Sequence, residues 1–300
     1  MSVLPESLAL SGYIDLHSHT NESDGTLSPL ELVDLARRIG LDAIAITDHD
    51  TFAGYEKALP IAREAKLDLV RGIELNSRLD LPHGGGQRYV HLLAYFVDGE
   101  PSEQFRTWLA EAQADRRDRN RRLVDSLNQR GLDISLAEVE ARGKSLAGRP
   151  HFARILVEKG YAGSIQDAFD KYLGETAPTY VERESESTED TISIVRSGGG
   201  IPVVAHPVRL SLQGDIERDM LRQWKDAGLL GLEVYHSEHS PKLQVHYHRL
   251  ADELGLLGTG GSDFHGAVKP NVELGTGAHS NIRVPRSFLD RMRQSVGRKD

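Results

Sequence analysis

Two histidine-bearing pairs bracket the informative part of this chain: Asp15-Leu16-His17-Ser18-His19 near its start and Asp263-Phe264-His265 near its end. Residues i and i+2 of an extended strand point to one side, so each pair offers two ligating groups to a common point. Between them lie Asp24, His49 within Thr47-Asp48-His49-Asp50, Glu74, His91 and His206. A lone histidine beside a strand is ordinarily a hydrogen-bonded structural residue. Six histidines and three carboxylates converging at strand ends are too many polar groups to bury uncompensated, and metal ions supply the compensation. Nine donors exceed what one ion needs once room is left for water, so two or three divalent ions bridged by carboxylate and hydroxide are expected. Three such ions against three carboxylates leave a pocket with a charge of about +3, which suits a phosphate ester. The chemistry expected is attack of a metal-bridging hydroxide on phosphorus, with Asp263 serving catalysis as well as ligation.

Composition narrows the choice of metal and partner. With no cysteine in 300 residues, thiolate zinc sites, iron–sulfur clusters, disulfide scaffolds and cysteine nucleophiles are excluded. Mixed imidazole and carboxylate sites suit manganese, with iron or zinc as alternatives. A formal charge of -9 argues against stable binding of duplex nucleic acid or an anionic lipid surface, so phosphate binding must be local. No unbroken apolar stretch approaches a membrane span, and residues 1–13 carry no basic n-region, so a cytoplasmic protein is expected. The sequence is silent on oligomeric state.

The elements that must position these residues follow from periodicity. Short apolar runs alternate with helical patterns over the first hundred residues, the signature of βαβ units and a parallel sheet or barrel. Strands are expected at Tyr13 to His19, Asp42 to Thr47, Leu67 to Leu75 and Tyr89 to Val97, the last after a Gly-rich loop at Gly84 to Gly86. Ser28-Pro29-Leu30-Glu31 is a capping box with Pro at the first helical position, and Gly40 closes that helix. From about Ser102 to Gly174 helix follows helix, with a second capping box at Ser135 to Glu138. Strands resume at Ile201 to His206, Gly231 to His236 and Leu256 to Asp263. The expected architecture is α/β, a barrel of about seven strands built from residues 1–101 and 181–300, interrupted by a helical insertion over 102–180. Barrels of this kind place active sites at the C-terminal ends of their strands, where the nine residues lie.

Other polar residues receive plainer expectations. Asp50 reads as the cap of the following helix and Asp48 as a residue orienting a ligating histidine. The run from Arg116 to Arg122 reads as a solvated helix face, and as the first place to seek a backbone contact if the substrate is an oligonucleotide. His246 and His248, two apart in a helical pattern, diverge and make poor joint ligands.

The segment HSHTNESDGTLSPLELVDLARRIGLDAIAITDHDT, followed by IEL, AHPVR and GSDFHG, resembles the PHP (polymerase and histidinol phosphatase) family over about residues 13 to 266. That resemblance implies a distorted (β/α)7 barrel, TIM-like in plan, with a trinuclear metal site. It assigns His17, His19, Glu74 and Asp263 to one ion, Glu74, His91 and His206 to a second, and Asp24, His49 and His265 to the third. AGRPHFARILVEKG and EVYHSEHS are similar to the branch of 3′,5′-nucleoside bisphosphate phosphatases and 5′-3′ exoribonucleases. A nucleotide or short 5′-phosphorylated RNA is the substrate this implies, adenosine 3′,5′-bisphosphate being cleaved to AMP and phosphate. Arg149 and Arg209 are expected on substrate phosphates, because a guanidinium fork matches phosphate oxygens. His239 is expected to protonate the leaving oxygen or bind phosphate. The competing readings are a small-monoester phosphatase of the histidinol-phosphate type, a bimetallic amidohydrolase and a non-catalytic scaffold.

Overall fold

The computed structural model describes residue 10 and residues 12–81, 86–143, 146–182 and 185–297. Most of residues 1–13 and part of the Gly84 to Gly86 loop lie outside the described residues. In chain order the barrel half begins with β1 (Tyr13–Asp15), α1 (Pro29–Ile39), β2 (Ala43–Ile46), α2 (Ala53–Glu64), β3 (Asp68–Asp80) and β4 (Gln87–Phe96). The helices α3 (Glu103–Asn128), α4 (Leu136–Gly143), α5 (Arg149–Glu158) and α6 (Ile165–Ala168) follow, the last running into a π turn at Phe169–Leu173. The chain then returns through α7 (Thr188–Ser197), β5 (Ile201–Val204), α8 (Gly214–Asp226), β6 (Gly231–Tyr235), α9 (Pro241–Leu254) and β7 (Leu257–Gly260). It ends with a small ribbon of β8 (Val272–Glu273) and β9 (Gly277–Ala278), then β10 (Val284–Pro285) and α10 (Ser287–Gly297).

Strands β1, β2 and β3 pair in parallel, as do β5, β6 and β7. Between these blocks β4 runs antiparallel to both neighbours, where the periodicity of the first hundred residues pointed to parallel pairing. The physical reason is connection length: a parallel return needs a crossover of about a dozen residues, and too few separate β3 from β4. A bridge between Ser18 and Phe264, with Asp263 N donating to His17 O at 2.8 Å, brings the ends of β1 and β7 together and closes the rim. The result is a distorted, nearly closed α/β barrel carrying a helical insertion.

Packing explains why the polar residues gather at one end. Ile14, Ala43, Ala45, Val70, Leu93, Tyr95, Ile201 and Val203 fill the lower barrel, and Phe288, Leu289 and Met292 of α10 close its floor. Strand parity puts Glu74 on the same face as Val70 and His91 on the same face as Leu93, and His49, beyond the end of β2, bridges to Glu74. The insertion has its own core around Leu127, Ile134, Phe152, Leu156 and Leu173. The N-terminal half of α3 belongs to the barrel instead, with Phe105 and Leu109 packed on Ile73, Phe96 and Val195. A single long helix therefore ties the insertion to the barrel.

Candidate metal centre

Glu74 is the hub of the rim. Its Oε1 faces His91 Nδ1 at 2.8 Å and His206 Nε2 at 3.0 Å, while Oε2 faces His19 Nε2 at 3.1 Å, His17 Nε2 at 3.3 Å and His49 Nδ1 at 3.3 Å. Asp263 Oδ1 lies 3.4 Å from His265 Nδ1 and 3.5 Å from Nε2 of both His17 and His19. Asp24 Oδ1 stands 3.3 Å from His265 Nε2 and 3.8 Å from His19 Nδ1, and its Oδ2 is 3.8 Å from His49 Nε2. All nine side chains expected as ligands thus meet in one cluster. His91 reaches it from the first half of its strand, because antiparallel β4 pairs it with Asn76 just above Glu74.

The donor set suits metal ions. His17 Nε2, both ring nitrogens of His19 and His49 Nδ1 are buried without a hydrogen-bond partner, although carboxylate oxygens surround them. One carboxylate cannot accept from five imidazoles at once, whereas cations seated among the same atoms would satisfy them all. Burial pushes Glu74, Asp263 and Asp24 up, yet their neighbours hold all three well below the carboxylate range: His49, His91 and His17 for Glu74, Lys269 with His17 for Asp263, and His265 with His49 for Asp24. Burial drives His49 down to about 3 and His206 well below its ordinary value, so both present neutral rings. Burial acts the same way on His19, but Asp263, Glu74 and Asp24 outweigh it and raise the ring to about 9.

Residues behind the cluster hold it in shape, and sequence reasoning missed the most important of them. Glu233, on β6, accepts from His17 Nδ1 at 2.9 Å and from the His206 backbone N–H at 2.6 Å. This directs His17 Nε2 to the cluster. A fully buried glutamate inside the apolar run of a strand was the available signal. His236 Nδ1 accepts from Glu238 N at 3.1 Å, so its Nε2 carries the proton facing Asp263 Oδ2 at 3.3 Å. Asp15 accepts from His17 N at 3.1 Å and from Ser262 Oγ at 2.6 Å, tying β1 to β7. Asp48 binds Thr20 N and Oγ1 and Ser23 Oγ rather than a histidine, so it shapes the loop that carries His19 and Asp24. Asp263 and His206 adopt φ of 55° and 28°, and backbone strain of that kind collects at functional sites.

A cavity of about 360 Å³ opens above the cluster. Arg119, Arg149, Arg209 and Lys269 line it together with the aromatic rings of Tyr89, Phe169 and Tyr180. Arg149 is the first residue of α5, with its guanidinium 5.9 Å from the Tyr180 ring centroid. Arg209 is paired with Glu238 and Asp263, so it borders the cavity as part of a salt-bridge network. His239 does not border it. The ring is fully buried one layer behind His236, with Nδ1 facing Val234 O at 2.8 Å and Tyr247 packed against it. The solvated-face reading of residues 116–122 needs the same kind of correction, since Arg116 and Arg119 are buried and border the cavity while Arg117, Arg121 and Arg122 are exposed.

The PHP domain profile matches residues 15–185. The chain belongs to the PHP domain family. A 5′-3′ exoribonuclease of Haemophilus influenzae is 31% identical over 84% of this chain and 89% of its own length. A 3′,5′-nucleoside bisphosphate phosphatase of Chromobacterium violaceum is 30% identical over 87% of this chain and 90% of its own. The solved structure of a Bifidobacterium adolescentis protein described as a metal-dependent phosphoesterase aligns with TM-score 0.78 at 34% identity, covering 93% of this chain and 94% of that one. This PHP protein is a metal-dependent hydrolase acting on phosphate ester bonds. Among the described residues no helix is long and apolar enough to cross a membrane.

Proposed function

We propose that this protein removes the 3′-phosphate from nucleoside 3′,5′-bisphosphates, such as adenosine 3′,5′-bisphosphate, and acts on short 5′-phosphorylated RNA. The observation that carries the reading is the composition of one cavity, whose lining combines His, Asp and Glu side chains able to hold metal ions with arginines, a lysine and three aromatic rings. The metal-holding side chains suit the reacting phosphorus, Arg149 and Arg209 suit phosphate oxygens, and Tyr89, Phe169 and Tyr180 suit the flat face of a base. Similarity to a bisphosphate phosphatase and an exoribonuclease over most of the chain supports the same assignment.

In this reading His17, His19, Asp24, His49, Glu74, His91, His206, Asp263 and His265 hold two or three divalent ions, manganese foremost. Such ions supply Lewis acidity that lowers the pKa of water and offsets charge on the phosphoryl oxygens. The chain's own groups do the rest. Glu233 keeps His17 in one tautomer, His236 and Lys269 fix the Asp263 carboxylate, and the arginines orient the ester so that the bond from phosphorus to the 3′-oxygen lies opposite the attacking water. Residues 102–180 act as the substrate-binding insertion, because Arg119, Arg149, Phe169 and Tyr180 all come from it. His239, shielded from the cavity, is left out of the mechanism, and the leaving oxygen takes its proton from solvent.

The test is phosphate or mononucleotide release from adenosine 3′,5′-bisphosphate, a 5′-phosphorylated RNA dinucleotide and histidinol phosphate by manganese-loaded protein, beside His17→Ala and Asp263→Ala. Turnover of either nucleotide substrate, lost in both variants, is expected. Turnover of histidinol phosphate alone would retain the metal chemistry and discard the nucleotide.

A further inference from the structure

Arg116 lies where α3 passes from the barrel to the insertion, and its guanidinium is committed on two sides. Nη1 donates to Asp50 Oδ2 at 2.6 Å, and Nε donates to the Ala147 carbonyl at 3.0 Å. Asp50 is not the cap of α2 that its position suggests: the residue at the cap is Phe52, without a side-chain hydrogen bond. Instead Asp50 follows His49 in a left-handed conformation, φ 55°, and its own N–H donates to Glu74 O at 3.0 Å. One end of the Arg116 contact is thus anchored between two residues of the metal cluster.

The other end is the turn that launches α5. Ala147 O also accepts from Asn120 Nδ2 at 3.0 Å, and Arg149 follows two residues later as the first residue of the helix. Gly148 is extended, φ -145°, so no left-handed backbone requires glycine there. Space does: a Cβ would stand 2.3 Å from Arg116 Nη2. Three separate pieces, the cluster-bearing strand end, α3 and the start of α5, therefore meet at one guanidinium, and glycine is what lets it pass.

We infer that Arg116 is a positioning residue: bridging Asp50 to the Ala147–Gly148 turn, it fixes the distance from the metal cluster to Arg149 and so registers a substrate that carries a second phosphate. The identity of that substrate rests on the proposed function; the bridge does not. The insertion has its own core around Phe152 and Leu156, and the candidate ligands sit on the barrel, Glu74 and His91 on strands and the other seven in segments that follow strand ends, so cutting the bridge should spare both. What changes is the placement of Arg149, and small misplacements of a phosphate clamp are costly.

The variants are Arg116→Met, Arg116→Lys and Gly148→Ala, the last altering no charge and adding one methyl group that displaces the fork. Each is measured for metal content, for kcat and KM on adenosine 3′,5′-bisphosphate and adenosine 3′-monophosphate, and for amide exchange over residues 146–152. Arg116→Met and Gly148→Ala should raise KM for the bisphosphate about tenfold or more. They should speed exchange at residues 146–152 while leaving metal content and 3′-monophosphate turnover within about twofold; Arg116→Lys should fall between them and wild type. Parallel loss of metal, or equal loss on both nucleotides, would reduce Arg116 to a general structural residue and overturn the inference. Unchanged exchange in Gly148→Ala would overturn it as well. If wild type cleaves neither nucleotide, the substrate reading fails, and the exchange measurement alone decides whether the bridge exists.

Discussion

In the proposed metal centre, His17 shows how a single side chain would be prepared for ligation. Its Nδ1 is given to Glu233, which leaves Nε2 for the cluster. Replacing Glu233 by Gln keeps the shape but lets the His17 tautomer and ring orientation relax. Such changes behind a ligand weaken metal affinity by about 10- to 100-fold, and a manganese titration of Glu233→Gln should show that loss; wild-type affinity would mean that Glu233 does not orient the ring. Protonation adds a second expectation. His19 is raised to about 9, so it carries a proton at pH 7 that a cation must displace. Metal binding should therefore release protons, and affinity should climb as pH rises from 6 toward 9. Calorimetry in two buffers of different ionisation enthalpy reads the proton count directly; zero release near neutral pH would contradict the raised value. At this scale the sequence was informative where chemistry is encoded locally, in the two histidine-bearing pairs. Glu233 was hidden because its partners lie more than twenty residues away, and His239 misled because a polar-looking segment, His236 to Ser240, folds with that ring inward.

Elements carry the next layer of information. Helix α1 was legible to the residue: Ser28 Oγ accepts from Glu31 N at 3.3 Å, the Glu31 carboxylate accepts from Ser28 N at 2.8 Å, and Gly40 closes the helix in the left-handed region. Removing the cap with Ser28→Ala should cost about 1 kcal/mol, read as a lower midpoint in urea with an unchanged slope. No loss of stability would mean that packing of Leu32, Val33 and Ala36 alone holds the helix start. Strand direction was less legible. Apolar runs announce strands but not their sense, and only the short span between β3 and β4 separates a hairpin from a crossover. The two faces of α3 were concealed for a related reason. A run of arginines at successive positions spreads around a helix, so Arg116 and Arg119 turn inward while Arg117 and Arg121 meet solvent, and composition alone cannot sort them.

For the whole molecule the question is whether the cluster supports the fold or the fold supports the cluster. Three carboxylates and six histidines gathered at one rim are a burden without cations, but the apolar cores lie elsewhere: inside the lower barrel, beneath α1 and α2, beneath α8 and α9, and within the insertion. A 300-residue chain with those cores does not depend on metal for its fold in the way a small zinc domain does. Ligand binding still adds stability by mass action, about 2.7 kcal/mol per site at a hundredfold excess over Kd. Each kcal/mol shifts Tm by about 2–4 °C in domains of 150–250 residues, and by less in a longer chain. Chelator treatment should accordingly lower Tm by several degrees and abolish phosphate ester hydrolysis, while the far-ultraviolet circular dichroism at 25 °C stays that of the native protein. Restoring manganese should recover both Tm and activity. Collapse of the spectrum on chelation would mean that the cluster is a folding element rather than a site mounted on a stable barrel, and an unmoved Tm on adding manganese, iron or zinc would remove the case for a metal centre.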